Sequence, residues 1–346
     1  MGKRNYGLDL LKIYACFCVV ALHAFGTGNY ILDYTGIFVK DNILSNIFYY
    51  SATCSIPIFF MVNGFLILRK KNLNYNYVLK KIMNIVFIVF LWTGLYSIVD
   101  LIVKSGKFSF FYFFFGSFVQ KGPFYHFWFL GALCVLLLLA PMLSYLLNRK
   151  TFLFILLLII FIAFSIIISI YSEVRQYPIQ SNINQTFRLW TWLLYYLFGG
   201  LIAKYEMEIN EFIKNKKLKL MIFNITLFTG VLVVVGALLN VRIINNAYAE
   251  YNYDNILVII ASVLIFIFCV SSINYSNKQI TILQYISPVI MGVYIMHPFV
   301  IKIFRIFIRS SNDWNNIVIY ILTVLTTIII SRLIIRIPYI KKIISL

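Results

Sequence analysis

Acidic residues are scarce in this chain: 11 Asp and Glu stand against 30 Lys and Arg, and charged residues together make up only 12% of its 346 positions. Soluble domains carry about 25% charged and about 45–50% apolar residues, whereas here 62% are hydrophobic. That balance excludes a soluble globular domain and a disordered chain alike. No polar stretch is long enough for a separate aqueous domain, so residues 1–346 read as a single membrane domain. Cysteine is sparse as well. Cys16, Cys18, Cys54, Cys134 and Cys269 all fall in apolar runs without metal-ligand spacing, so neither a disulfide framework nor a metal site is expected from them. No small-residue cleavage site follows the basic start Met1-Gly2-Lys3-Arg4, and the first apolar run is read as a retained span.

What is present is a series of long apolar runs. A membrane helix needs about 20 mostly apolar residues, and ten segments qualify: 8–26, 44–68, 78–103, 127–147, 151–171, 187–203, 218–240, 255–273, 287–307 and 315–337. The expectation is an all-α, polytopic integral membrane bundle of about ten transmembrane helices. The stretch 108–126, which holds Gly116, Gly122 and Pro123, is too short to span comfortably and reads as re-entrant or interfacial. The formal charge of +19 would suggest a nucleic-acid partner in a soluble protein. Here the basic residues lie between apolar runs, where they orient the chain, and no nucleic acid is expected. With the N-terminus inside, the inner segments carry 17 Lys and Arg and the outer ones 7. Cationic loops stay in the cytoplasm, so both termini are expected there.

Ionisable groups inside a membrane are expensive and mark function by default. The first span opens Gly7-Leu8-Asp9-Leu10-Leu11-Lys12 and continues to Leu22-His23. Lys12 and His23 are eleven residues apart, which at about 100° per residue returns to nearly one helix face, about 16 Å along the axis. Asp9, three residues before Lys12, is placed for an ion pair with it. The bland alternative is a snorkelling Lys12 and a His23 that bonds a neighbouring helix. His126 opens the fourth span and His297 lies in the ninth, so all three histidines could line one cavity and serve acid–base chemistry. They share no HxxxH or HxH spacing, and no metal is expected. His126 could equally sit in an aromatic belt, and His297-Pro298 could mark a kink. Arg188, Lys302 and Arg305 read either as interface anchors or as cavity cations. Lys80 and Lys81, at the start of the third span, suit the phosphates of a cofactor or of lipid headgroups. Asn63-Gly64 and Gly199-Gly200 would permit close helix approach.

These residues resemble a known family, the membrane acyltransferase 3 family. Leu8, Asp9, Lys12 and His23 match its opening pattern, with Lys12 where Arg is commoner. Phe59 to Leu66 resembles its Phe-rich second-span segment, with Asn63 in place of Ser. His126-Phe127-Trp128-Phe129-Leu130, Tyr195 to Gly200 and Tyr294 to Pro298 resemble three further segments, in the right order. An Arg-x-x-Arg pair seen in some members is not reproduced; Lys80 and Lys81 are its loose substitute. The resemblance implies acyl transfer, usually of acetyl from acetyl-CoA, to a hydroxyl of a cell-envelope glycan or lipid-linked sugar in the bacterial cytoplasmic membrane. It implies the stand-alone class, without an appended esterase-like domain. His23, Lys12 and Asp9 are then the catalytic group, and Lys80 and Lys81 bind the donor. His126, Trp128, His297 and Arg188 contact the acceptor, Trp128 as part of a stacking wall. The expected partners are that acceptor and membrane lipids, with a homodimer left open. Two other readings fit the composition: a transporter or flippase of a lipid-linked or anionic solute, and an envelope-polysaccharide polymerase, for which larger outer loops are expected.

Overall fold

The computed structural model describes residues 4–26, 43–104, 109–271, 275–309, 312–338 and 341–344. Among the described residues the chain forms α-helices joined by short turns, with no strand. The first helix, α1 (Tyr6–Phe25), starts at Asn5, whose side-chain oxygen accepts from the N–H groups of Gly7 and Leu8. The second span is built in two pieces, α2 (Ile43–Ser51) and α3 (Ser55–Leu68), around a 3₁₀ turn at Ala52–Cys54. Pro57 lies in the first turn of α3, where its missing N–H is not needed. There follow α4 (Tyr75–Lys104), the short α5 (Phe110–Phe118), α6 (Trp128–Arg149), α7 (Thr151–Val174), α8 (Leu189–Lys204) and α9 (Glu206–Ile213). The last third comprises α10 (Lys216–Ile244), α11 (Ile256–Val270), α12 (Asn277–Ile286), α13 (Ile290–Phe307) and α14 (Asp313–Ile335).

All ten expected spans are helical, and the protein is a polytopic helical membrane bundle. Eight of the segments are long and apolar enough to cross a bilayer on their own. The other two, α8 with 16 residues and α11 with 15, fall short of the roughly 30 Å hydrocarbon thickness at 1.5 Å per residue. For α8, burial explains the shortness. In α8 every residue from Thr191 to Leu197 is buried, and irregular backbone at membrane depth is tolerated where protein surrounds it.

The most extensive helix–helix contact among the described residues is between α3 and α8, and glycine brings it close. A Cβ on Gly64 would stand 1.9 Å from the carbonyl oxygen of Tyr196, and one on Gly199 would stand 1.9 Å from that of Met61. Each helix thus gives up a side chain so that the other's backbone can approach, the small-residue packing that membrane helices use in place of hydrophobic drive.

The two ends of the bundle separate cleanly. At the basic end, Arg69 pairs with Glu206 at 3.8 Å, Asn5 donates to Glu206 at 2.8 Å, and Lys204 donates to the carbonyl of Leu147 at 2.8 Å. At the opposite end the Tyr50 hydroxyl donates to the carbonyl of Ala247 at 2.9 Å, and the Leu44 N–H donates to Asp313 at 3.0 Å. This sorting is what alternating spans require. Helix α5 does not cross. Thr186 donates to the carbonyl of Phe118 at 2.7 Å and Gln120 accepts from the Gln185 N–H at 3.2 Å, both at the opposite end. Lys3, Lys40 and Lys107 of the charge count lie outside the described residues.

Candidate active site between two cavities

A cavity of about 930 Å³ opens at the basic end, lined by Arg4, Asp9, Lys12, Arg69, Lys81 and Glu206 among others. Asp9 organises it. Its Oδ2 accepts from Arg4 Nε at 2.6 Å, its Oδ1 accepts from Ser287 at 2.7 Å, and Lys12 Nζ stands 3.7 Å from Oδ1. The ion pair expected between Asp9 and Lys12 is present, but the closer cation is Arg4, which the sequence reading passed over. Arg4, Lys12, Arg69 and Lys81 outnumber Asp9 and Glu206 along this wall, so the cavity favours a polyanion. Lys81 is half-buried and lines it, whereas Lys80 stays on the exposed surface. Adjacent helical positions point about 100° apart, which is why only one of the two lysines can reach the cavity.

A second cavity, of about 420 Å³, opens at the opposite end and is lined by His23, Tyr125, Trp128, Gln120, Gln185 and Glu250 among others. Only a thin layer separates the two. Trp128 lines this cavity and its neighbour Phe129 the other, and Ile56 and Phe59, one turn apart on α3, divide in the same way.

The three histidines meet in this layer. The rings of His23 and His297 are 5.0 Å apart between centroids, and those of His126 and His297 are 5.4 Å apart. Tyr125 sets its hydroxyl 3.1 Å from Nδ1 of His23. Nδ1 of His297 lies 2.7 Å from the carbonyl of Tyr294. A carbonyl only accepts, so that nitrogen carries the proton and Nε2 keeps its lone pair in the neutral ring. This Nε2 is buried without a hydrogen-bond partner, as are both ring nitrogens of His126. The Tyr294 hydroxyl donates to the carbonyl of His126, tying α13 to the start of α6. Arg305 donates through Nη2 to the carbonyls of His23 at 3.2 Å and Ala24 at 3.0 Å. It thus caps the last turn of α1, where a cation meets the negative end of the helix.

Arg188 is buried behind the cavity wall and does not line the cavity. Its Nη2 pairs with Glu250 at 3.2 Å and its Nε donates to the carbonyl of Ile183 at 3.0 Å. Glu250 is the group that reaches the cavity, and it also accepts from Gln185. Behind them Asp254 accepts from Thr191 at 2.6 Å and from Gln180 at 3.3 Å. Burial pushes its carboxyl above the usual range and these donors pull against the shift.

The family model Acyl_transf_3, described as an acyltransferase domain, matches residues 5–336. The chain belongs to this acyltransferase family. No curated protein and no solved structure matches it. The matched span takes in the whole lining of the His23 cavity, and that of the basic-end cavity except Arg4 and Ile344. Within this acyltransferase, the sequence candidates His23, Trp128, Lys12, Asp9 and Lys81 line one cavity or the other, and His126 and His297 lie in the layer between them. Tyr125, Gln185 and Glu250 were missed. They belong to connecting segments, which a reading by hydropathy passes over, and no local spacing links them to His23.

Proposed function

We propose that this acyltransferase moves an acetyl or similar acyl group from an acyl-CoA to a hydroxyl of a cell-envelope glycan or lipid-linked sugar. It would act in the bacterial cytoplasmic membrane with its basic end toward the cytoplasm. The observation that carries the reading is the division of α1 between two cavities: Lys12 lines the basic-end one and His23 the opposite one. A donor and an acceptor that live on different sides of a membrane need such an arrangement.

In this reading Arg4, Lys12, Arg69 and Lys81 hold the donor's phosphates, which bind cations through short charge-assisted contacts. Asp9 keeps Arg4 and Lys12 at the mouth. Phe59, Phe129 and Tyr294 form the apolar end of that cavity, from which the thioester meets the histidine layer. His23 takes the proton of the sugar hydroxyl as its oxygen attacks the thioester carbonyl, and returns it to the departing thiolate. An acyl-histidine route would use the same nitrogen first as nucleophile. Tyr125, bound at Nδ1, holds the His23 ring in place in either case.

The test is transfer of radiolabelled acetyl from acetyl-CoA to extracted envelope glycan by purified protein in liposomes. His23→Ala is expected to fold, to bind acetyl-CoA and to lose transfer by about 10²–10⁴-fold, the usual worth of a general base. Near wild-type transfer in His23→Ala sinks both routes and favours a transporter.

A further inference from the structure

We infer that the wall facing His23 is a subsite for an uncharged sugar ring, built from Gln120, Gln185, Glu250 and Tyr251, and that it rejects anionic rings. The inference rests on the acceptor being a glycan, as proposed above, and adds which glycans are excluded.

Charge comes first. Among the described residues lining this cavity there is no lysine and no arginine, and Glu250 is the one carboxylate. Two cations lie behind the lining: Arg188 pairs with Glu250, donates to the carbonyl of Ile183 and lies over the ring of Tyr251, and Arg305 donates to the carbonyls of His23 and Ala24. A carboxylate or phosphate on the bound ring would therefore leave water and meet Glu250, with no cation among the described lining residues to reach it directly.

Hydrogen bonding comes second. A sugar hydroxyl both donates and accepts, and this wall offers both functions. Gln185 is only 5% exposed, yet its Oε1 is buried without a partner while its amide nitrogen is bound to Glu250. An unsatisfied buried acceptor is costly, and a ligand hydroxyl that donates to it removes the cost. The Gln120 amide supplies the donor, its Oε1 being held by the Gln185 N–H, and burial with the Glu250 carboxylate beside it pushes the Tyr251 phenol up to about 12, so it stays protonated and bound to Glu250. Tyr49, Trp128, Tyr248 and Tyr253 complete the lining with flat apolar faces for the C–H faces of a ring.

Rigidity comes third. Tyr195 donates to the carbonyl of Tyr253 at 2.7 Å, Trp192 donates to that of Gln185 at 2.5 Å, and the Ala249 N–H donates to Tyr49 at 3.0 Å. Both wall segments are thus fixed to helices before any ligand binds, which lowers the ordering cost of binding.

The experiment compares two probes of one shape, p-nitrophenyl β-glucoside and p-nitrophenyl β-glucuronide, titrated without acyl donor into the protein in nanodiscs. Binding is read as quenching of tryptophan fluorescence, with Trp128→Phe to identify the cavity signal. The glucoside is expected to bind at least about tenfold more tightly, the scale of a like-charge penalty. Gln185→Leu should weaken the glucoside. Tyr248→Lys, a change at an exposed position of the rim, should strengthen the glucuronide and narrow the gap, which keeps the test decisive if Gln185→Leu does not fold. Equal or tighter glucuronide binding, or no saturable quenching by either probe, overturns the inference. Selective binding in a protein that transfers no acyl group overturns the proposed reaction and leaves the subsite standing.

Discussion

The hydroxyl of Tyr125 lies 3.1 Å from Nδ1 of His23, joining the turn before α6 to the last turn of α1. The contact makes Tyr125 a positioning residue, because it holds the ring. Tyr125→Phe is expected to slow acyl transfer about three- to tenfold, the worth of one hydrogen bond. Acyl-CoA affinity should be unchanged, and the pH–rate profile should move, since the imidazole loses a partner. A merely packing role would leave the profile where it is.

His126 and His297 sit beside His23 but have different work in the fold. His297 is anchored through Nδ1 to a backbone carbonyl and His126 is held through its own carbonyl by Tyr294. His126→Ala and His297→Ala are expected to lose less transfer than His23→Ala, when each is measured per mole of folded protein. A loss equal to that of His23→Ala in either variant would make that histidine a catalytic group.

Lys12 tests the basic-end cavity. A charge-assisted contact is worth roughly 1.5–3 kcal/mol, so Lys12→Gln should weaken acetyl-CoA binding about ten- to a hundredfold and Lys12→Arg should retain part of it. Titration of the purified variants by calorimetry gives the answer. Unchanged affinity in Lys12→Gln would mean that Lys12 only reaches for headgroups.

Glycine packing makes a prediction about stability alone. Gly199→Val would drive side-chain atoms into the Met61 carbonyl, 1.9 Å from the first added carbon. Overpacking costs about 1–3 kcal/mol even where neighbours are flexible side chains, and here the neighbour is backbone. The melting temperature should fall sharply. Gly230→Ala in α10, where nothing lies within 4 Å, should raise it slightly, because alanine is the better helix former. Equal effects of the two changes would contradict the α3–α8 contact.

Orientation is open to thiol labelling. The five native cysteines are buried or half-buried. With the basic end in the cytoplasm, Glu208→Cys should be shielded from an impermeant maleimide in intact cells and Tyr248→Cys should react. The reverse pattern would place the donor cavity on the wrong side of the membrane.

Much of this protein follows from the sequence by itself. Hydropathy and helical period act over neighbouring residues, and so they determined ten helical spans, the shared face of Lys12 and His23, and the small-residue positions Gly64 and Gly199. The ordered motifs from Leu8 to Pro298 also identified the family. Only tertiary structure decided what those helices bring together. His23 and Tyr125 are 102 residues apart, and Asp9 and Ser287 are 278 apart. Such pairs arise from how spans pack, which no local pattern encodes. Packing likewise chose Arg4 as the nearer partner of Asp9, left Lys80 outside the cavity that Lys81 enters, and put Arg188 behind Glu250. It also allowed α8 to be short, since a helix walled by protein need not match the thickness of the lipid.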